Sequence, residues 1–141
     1  MDQKSYYIST DKSKLDISMI HDFLCHRSYW AKGRSRETVA RSIQNSLCFG
    51  LYDEYDHQIG FARVVTDFAV FAWLMDVFVL EKFRGKGLGK KLIQEITNHP
   101  QLQGLKKWGL ATDDAFGLYE KFGFVKIKRP EIYMERLFEE S

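Results

Sequence analysis

A run of ten residues at 71–80, Phe-Ala-Trp-Leu-Met-Asp-Val-Phe-Val-Leu, carries one charge, Asp76, and no break. It is too short to span a membrane and has the length of a strand. It also lacks the alternation of a strand with one wet face, so both its faces must be covered. The chain therefore has to supply helices for two sides of one sheet, which points to an α/β layer architecture. Immediately downstream lies Arg84-Gly85-Lys86-Gly87-Leu88-Gly89. Behind it, 88–98 reads as an amphipathic helix with Leu88, Leu92, Ile93 and Ile96 facing inward.

The remaining segments fill in that architecture. Residues 6–9 read as a first strand. Ile17, Ile20 and Leu24 recur at helical spacing within 16–28, with Ser13 or Asp16 as caps. A Gly-containing break at 31–34 precedes a helix over 36–45, capped by Ser35 and burying Val39, Ala40 and Ile43. Residues 47–52 and 58–66 form a hairpin across the polar turn 53–57. A short strand at 108–111, a short helix at 115–122 and two last strands at 124–127 and 132–138 complete the order. Both prolines, Pro100 and Pro130, fall where periodic segments end.

At 141 residues the chain is expected to be one domain, 1–141. Its 21 Lys and Arg against 19 Asp and Glu leave a net charge of +2, which argues against a dedicated nucleic-acid binder. No apolar run is long enough for a membrane span, and the first ten residues lack the apolar core of a signal peptide. Two cysteines, Cys25 and Cys48, suffice for neither a disulfide framework nor a thiolate metal site, so a reduced, cytoplasmic setting without a metal is expected. Aromatic residues make up 15% of the chain, and composition alone does not decide between an aromatic core and an aromatic-lined pocket.

The glycine segment carries the chemistry. Glycines at alternate positions allow a tight turn and bring backbone N–H groups close to a ligand. The helix behind adds unpaired N–H groups and a positive dipole end. Arg84, Lys86, Lys90 and Lys91 add charge, so the segment describes a site for a phosphate or pyrophosphate. It is not a P-loop, because no Ser or Thr follows Lys90 or Lys91. Nor is it the dinucleotide fingerprint, since the spacing is G-x-G-x-G and a run of hairpin-forming strands precedes it.

Arg84, Gly87 and Gly89 satisfy Arg/Gln-x-x-Gly-x-Gly/Ala, and the loop resembles the signature of the GNAT N-acetyltransferase superfamily. The preceding Leu74, Val77 and Val79 fit its strand, and Leu118-Tyr119-Glu120-Lys121-Phe122-Gly123-Phe124 is similar to the family's C-terminal motif. The resemblance implies a single mixed, mostly antiparallel sheet of about six or seven strands flanked by about four helices. It also implies acetyl-CoA as co-substrate, bound where the central strand parts from a parallel neighbour. The backbone of Val77, Phe78 and Val79 would hold the pantetheine arm. The amides of Gly85, Lys86, Gly87, Leu88, Gly89 and Lys90, together with Arg84, would hold the pyrophosphate.

The implied reaction is direct attack of a neutral amine on the thioester, with Tyr119 as general acid for the departing thiolate. Asp76, a lone carboxylate in an apolar strand, is the leading base; an ion pair with Arg63 or His26 is the equal alternative. Thr112 stands where many relatives have asparagine. Tyr29, Trp30 and Tyr133 lie on segments expected to border the acceptor, and His21, His26 and Arg34 lie on the same segments; Asp67 and Asp76 are further groups that could attract a cationic amine. The expected activity is acetyl transfer to a primary amine of a small molecule or peptide. Transfer of another acyl group and a non-catalytic acyl-CoA sensor stay open, as does a homodimer.

Overall fold

The computed structural model describes residues 5–138. Its sheet has five strands in the order β1 (Tyr7–Ser9), β2 (Leu47–Tyr52), β3 (Gln58–Thr66), β4 (Phe71–Val79) and β5 (Lys107–Gly109). The first four are antiparallel neighbours, and β5 joins β4 in parallel. Four α-helices flank them: α1 (Ile17–Asp22), α2 (Arg36–Gln44), α3 (Leu88–Thr97) and α4 (Phe116–Glu120). Asp16 caps α1 by accepting from the Met19 N–H, and Ser35 caps α2 by accepting from that of Thr38. Past α1 the chain continues as a π-turn over Phe23–Arg27, so the expected long first helix is two pieces.

Both sheet faces are covered, as the apolar run requires. One core joins Phe49, Ala62, Val64, Ala72 and Leu74 to Leu92, Ile93 and Ile96 of α3 and to Tyr119 of α4. A second joins Cys48, Phe61 and Phe78 to Ile20 of α1, Phe23 and Leu24 of the π-turn, and Val39 and Ile43 of α2. Leu74 and Phe78 therefore sit on opposite faces, although four residues of regular strand would leave them on the same one. The switch is a bulge: Phe61 faces Phe78 and Arg63 faces Met75, so Ala62 opposes both Asp76 and Val77. Asp76 takes the extra turn at φ 55, a left-handed conformation uncommon for a non-glycine residue.

The sheet has fewer strands than the resemblance implies. The expected strands at 124–127 and 132–138 pair with nothing among the described residues, and Pro130–Ile132 is a 3-10 turn. Pro130 lacks a backbone donor and opens the turn that separates the two stretches, so no continuous strand forms there.

Candidate active site

The cleft is a consequence of where β4 and β5 stop pairing. Their register runs from Phe71 opposite Lys107 to Trp73 opposite Gly109 and ends there, while β4 continues to Val79. Gly109 is required at the parting point, because a Cβ there would strike the Trp73 ring. Beyond it lies a cavity of about 290 Å³, lined by Trp73 to Val77 on one side and Leu110 to Ala115 on the other. Tyr29, Trp30 and Arg34 close one end, and Tyr119 also lines it.

Asp76 is the hub of this wall. It is 4% exposed, and its carboxylate accepts from Arg34 Nη1 at 2.9 and 3.1 Å, from Arg63 Nε at 2.9 Å and from Trp30 Nε1 at 2.9 Å. Arg63 also donates to Ser46 Oγ at 3.0 Å. Of the two readings of Asp76, the geometry is that of the ion pair, with Arg63 and Arg34 as partners; His26 instead rests edge-on against His21. The network pins the loop bearing Trp30 and Arg34 to the bulge, which aims Val77 of the open strand edge. Asp67 is likewise occupied: it accepts the N–H groups of Ala69, Val70 and Phe71, which hold its carboxyl below the usual range and tie the β3–β4 turn.

Tyr119 enters from α4. Its hydroxyl makes no hydrogen bond among the described residues, and burial pushes its pKa up to about 12, with Tyr29 and Asp114 adding to the shift. Tyr29 accepts from the Asp113 N–H at 3.0 Å and packs edge-on against Trp30, so the two aromatic loop residues join both walls. Thr112 accepts from the Ala115 N–H at 3.1 Å, bracing the turn that leads into α4. Tyr133, by contrast, is not in this cleft. It lines a second cavity beside β5, with Lys107 Nζ 4.5 Å over its ring. Its segment forms no hairpin with 124–127 among the described residues.

Where β4 ends, the glycine loop turns into α3. Gly85 and Gly87 have φ of 81 and 77°, and a Cβ on Gly85 would meet nothing within 4 Å. Gly87 is the helix cap and offers no side-chain acceptor, so the amides of Leu88, Gly89 and Lys90 have no partner inside α3. An open backbone with outward donors fits a pyrophosphate. Arg84 Nε donates to the Val79 carbonyl at 2.9 Å, bracing the loop on β4. The sequence reading missed Asp113 and Asp114 at the cleft mouth. Their position just after a parallel strand that ends beside its neighbour was the available signal.

Fold and cleft together are those of the GNAT acetyltransferases, and the chain belongs to that family: residues 44–126 match the model of the acetyltransferase (GNAT) domain. A crystal structure of an acetyltransferase assigned to the GNAT family, from Xanthomonas campestris pv. campestris, superposes with a TM-score of 0.91 at 46% identity, covering 94% of this chain and 93% of that one. The uncharacterized N-acetyltransferase ycf52 of Pyropia yezoensis is 27% identical over 87% of this chain and 72% of its own. The spermine/spermidine N(1)-acetyltransferase of Bacillus subtilis is 35% identical, over 54% of this chain and 48% of its own.

Proposed function

We propose that this chain, as one domain over residues 1–141, transfers an acetyl group from acetyl-CoA to a primary amine of a small molecule or an exposed peptide. The observation that carries the reading is the parting of β4 from β5 with the Tyr119 hydroxyl inside the gap. The bound thioester supplies an activated acetyl group; everything else falls to the protein. The amides of Gly85 to Lys90 bind the pyrophosphate, and the open edge of Val77 to Val79 orients the adjoining arm. Because Arg84 occupies the Val79 carbonyl, and Phe78 and Leu80 face β3, the free partners on that edge are those of Val77 and the Val79 N–H. Tyr119 donates a hydrogen bond to the sulfur as negative charge develops there.

Asp76 accepts four hydrogen bonds and holds the bulge, so the amine's proton leaves toward another group. Asp113 and Asp114, exposed at the mouth and in no ion pair among the described residues, are the carboxylates suited to take it. They also favour a cationic amine as acceptor, a reading in keeping with the spermine/spermidine N(1)-acetyltransferase among the relatives. Two free thiols, Cys25 and Cys48, accord with a reducing, cytoplasmic setting.

The occupied state of Asp76 favours one second reading, an acyl-CoA sensor without turnover. Calorimetry with acetyl-CoA and thiol-release assays over a panel of polyamines, amino sugars and peptides separate the two. Binding with release upon one amine supports the enzyme, and binding with no release for any acceptor supports the sensor. Folded protein that gives no binding heat at sub-millimolar acetyl-CoA sinks both.

A further inference from the structure

Asp76 is one carboxylate shared by two guanidinium groups, so the network that holds the bulge carries an excess positive charge. Arg63 uses its donors inward, on Asp76 Oδ2, Ser46 Oγ and Met75 Sδ. Arg34 does not. Both of its hydrogen bonds come from Nη1, which leaves Nε and Nη2 without a partner among the described residues. These donors are not sealed in the core, because the fully buried side-chain polar atom that lacks a partner among the described residues is the Tyr52 hydroxyl. Arg34 therefore keeps its second edge open, and it lines the cavity between β4 and the 110–115 segment.

The opposite sign stands elsewhere on the same lining. Asp113 and Asp114 are exposed at the mouth, and Arg34 pairs with Asp76 and with neither of them. Tyr29 fixes one end relative to the other: its hydroxyl accepts from the Asp113 N–H, and its ring packs on Trp30, whose indole N–H is on Asp76. The cavity is thus dipolar, with a cation at one end and carboxylates at the other. The aspartates alone would admit any amine, a diamine included. The Arg34 edge discriminates among amines, because Nε–H and Nη2–H lie parallel and form the fork that takes two oxygens of a carboxylate or phosphate. Asp76 is already matched by Arg63, so an anion on Arg34 completes the charge pairing of the cluster instead of competing with it.

We propose that the acceptor is a small zwitterion, an amine that also bears a carboxylate or phosphate, and that Arg34 binds its anionic group. The proposal rests on the acetyl-transfer reading and deepens it by naming the acceptor class. With the anion on the Arg34 fork, the acceptor's ammonium lies toward Asp113 and Asp114, which hold it and take one proton. The freed nitrogen bonds the acetyl carbon and the C–S bond breaks. A second proton leaves the nitrogen for the departing sulfur beside Tyr119, so the products are the amide and the free thiol.

Thiol release is compared between acceptors that differ only in the anion: phenylalanine against 2-phenylethylamine, lysine against cadaverine, and phosphoethanolamine against ethanolamine. In at least one pair the anion-bearing member should lead by about tenfold or more in kcat/KM, and the pair that does so separates carboxylate from phosphate. Arg34→Lys keeps a donor for Asp76 but lacks the fork, and should bring that ratio to within about threefold. If the variant does not fold, the wild type decides: 3-phenylpropionate or ethyl phosphate, which keep the anion and lack the amine, should compete with the matching acceptor and not with acetyl-CoA. Trp30 and Trp73 line the cavity, so their fluorescence reports binding without turnover. Anion-bearing probes that shift this fluorescence while no acceptor releases thiol remove the acetyl-transfer reading and leave the Arg34 site standing. Equal rates within every pair, a ratio unchanged in Arg34→Lys, or failure of the anions to compete overturns the Arg34 site while acetyl transfer stands.

Discussion

Tyr119 presents a conflict that magnitudes resolve. Burial lifts its pKa to about 12, so the phenol is protonated at every working pH and is always available as a donor. The same shift makes it a poor source of a whole proton. A thiol near pKa ~8.5 is about 3.5 units more acidic, which makes full transfer uphill by roughly 5 kcal/mol. Its contribution is therefore a hydrogen bond that strengthens as charge builds on sulfur, with the proton passing late. Tyr119→Phe should lower kcat about 100-fold while leaving acetyl-CoA affinity within about twofold, as steady-state rates and calorimetry would show. The wild-type rate should also show no falling limb from this phenol below about pH 11. Equal kcat in the two proteins would remove Tyr119 from the reaction.

The bulge in β4 is the element on which the cleft depends, and it marks the boundary of what sequence discloses. Strands 47–52 and 58–66 are legible because two strand-length apolar runs joined by a polar turn are local properties, and the glycine loop is legible because its donors come from consecutive backbone. The bulge is not local. It arises where β3 and β4 fall out of register, and the donors that hold Asp76 come from Trp30, Arg34 and Arg63, which sit 46, 42 and 13 residues away. A lone carboxylate in an apolar run consequently reads as a base as readily as an ion pair. The arm at 132–138 fails for a related reason: its sequence shows competence for a strand but not whether a neighbour exists. Arg34→Ala tests the bulge. It strips two of the four hydrogen bonds from a buried carboxylate, leaving Arg63 and Trp30, and should cost about 3 kcal/mol in urea unfolding. Activity of the folded fraction should drop further than acetyl-CoA binding, because Val77 loses its aim. Unchanged stability would mean that Arg63 alone holds the turn.

Across the whole molecule, three weak acids are buried in their neutral forms in separate places. Cys48 lies in the core under α1 and α2, Tyr119 in the core under α3 and α4, and Tyr52 at the far end of β2. Burial is the leading cause in each case, pushing Cys48 to about 11 and the two tyrosines to about 12, against ordinary values of 9.0 and 10.0. The folded chain thus holds protons that the unfolded chain gives up first. Since all three folded values are raised, stability is fully present below about pH 9 and is lost as pH rises through 11 to 12. Urea midpoints should stay level from pH 7 to 9 and then fall with increasing steepness. Tyr52 allows the cause to be isolated, because its buried hydroxyl has no hydrogen-bond partner among the described residues while its ring stacks on Tyr7 at 5.0 Å. Tyr52→Phe keeps the stack and removes the stranded hydroxyl, so it should gain about 1 kcal/mol at neutral pH. The same variant should flatten the alkaline loss by deleting one of its three sources. A variant that loses stability at pH 7, or a wild type whose midpoint is level to pH 12, would show that these buried groups do not set the alkaline limit.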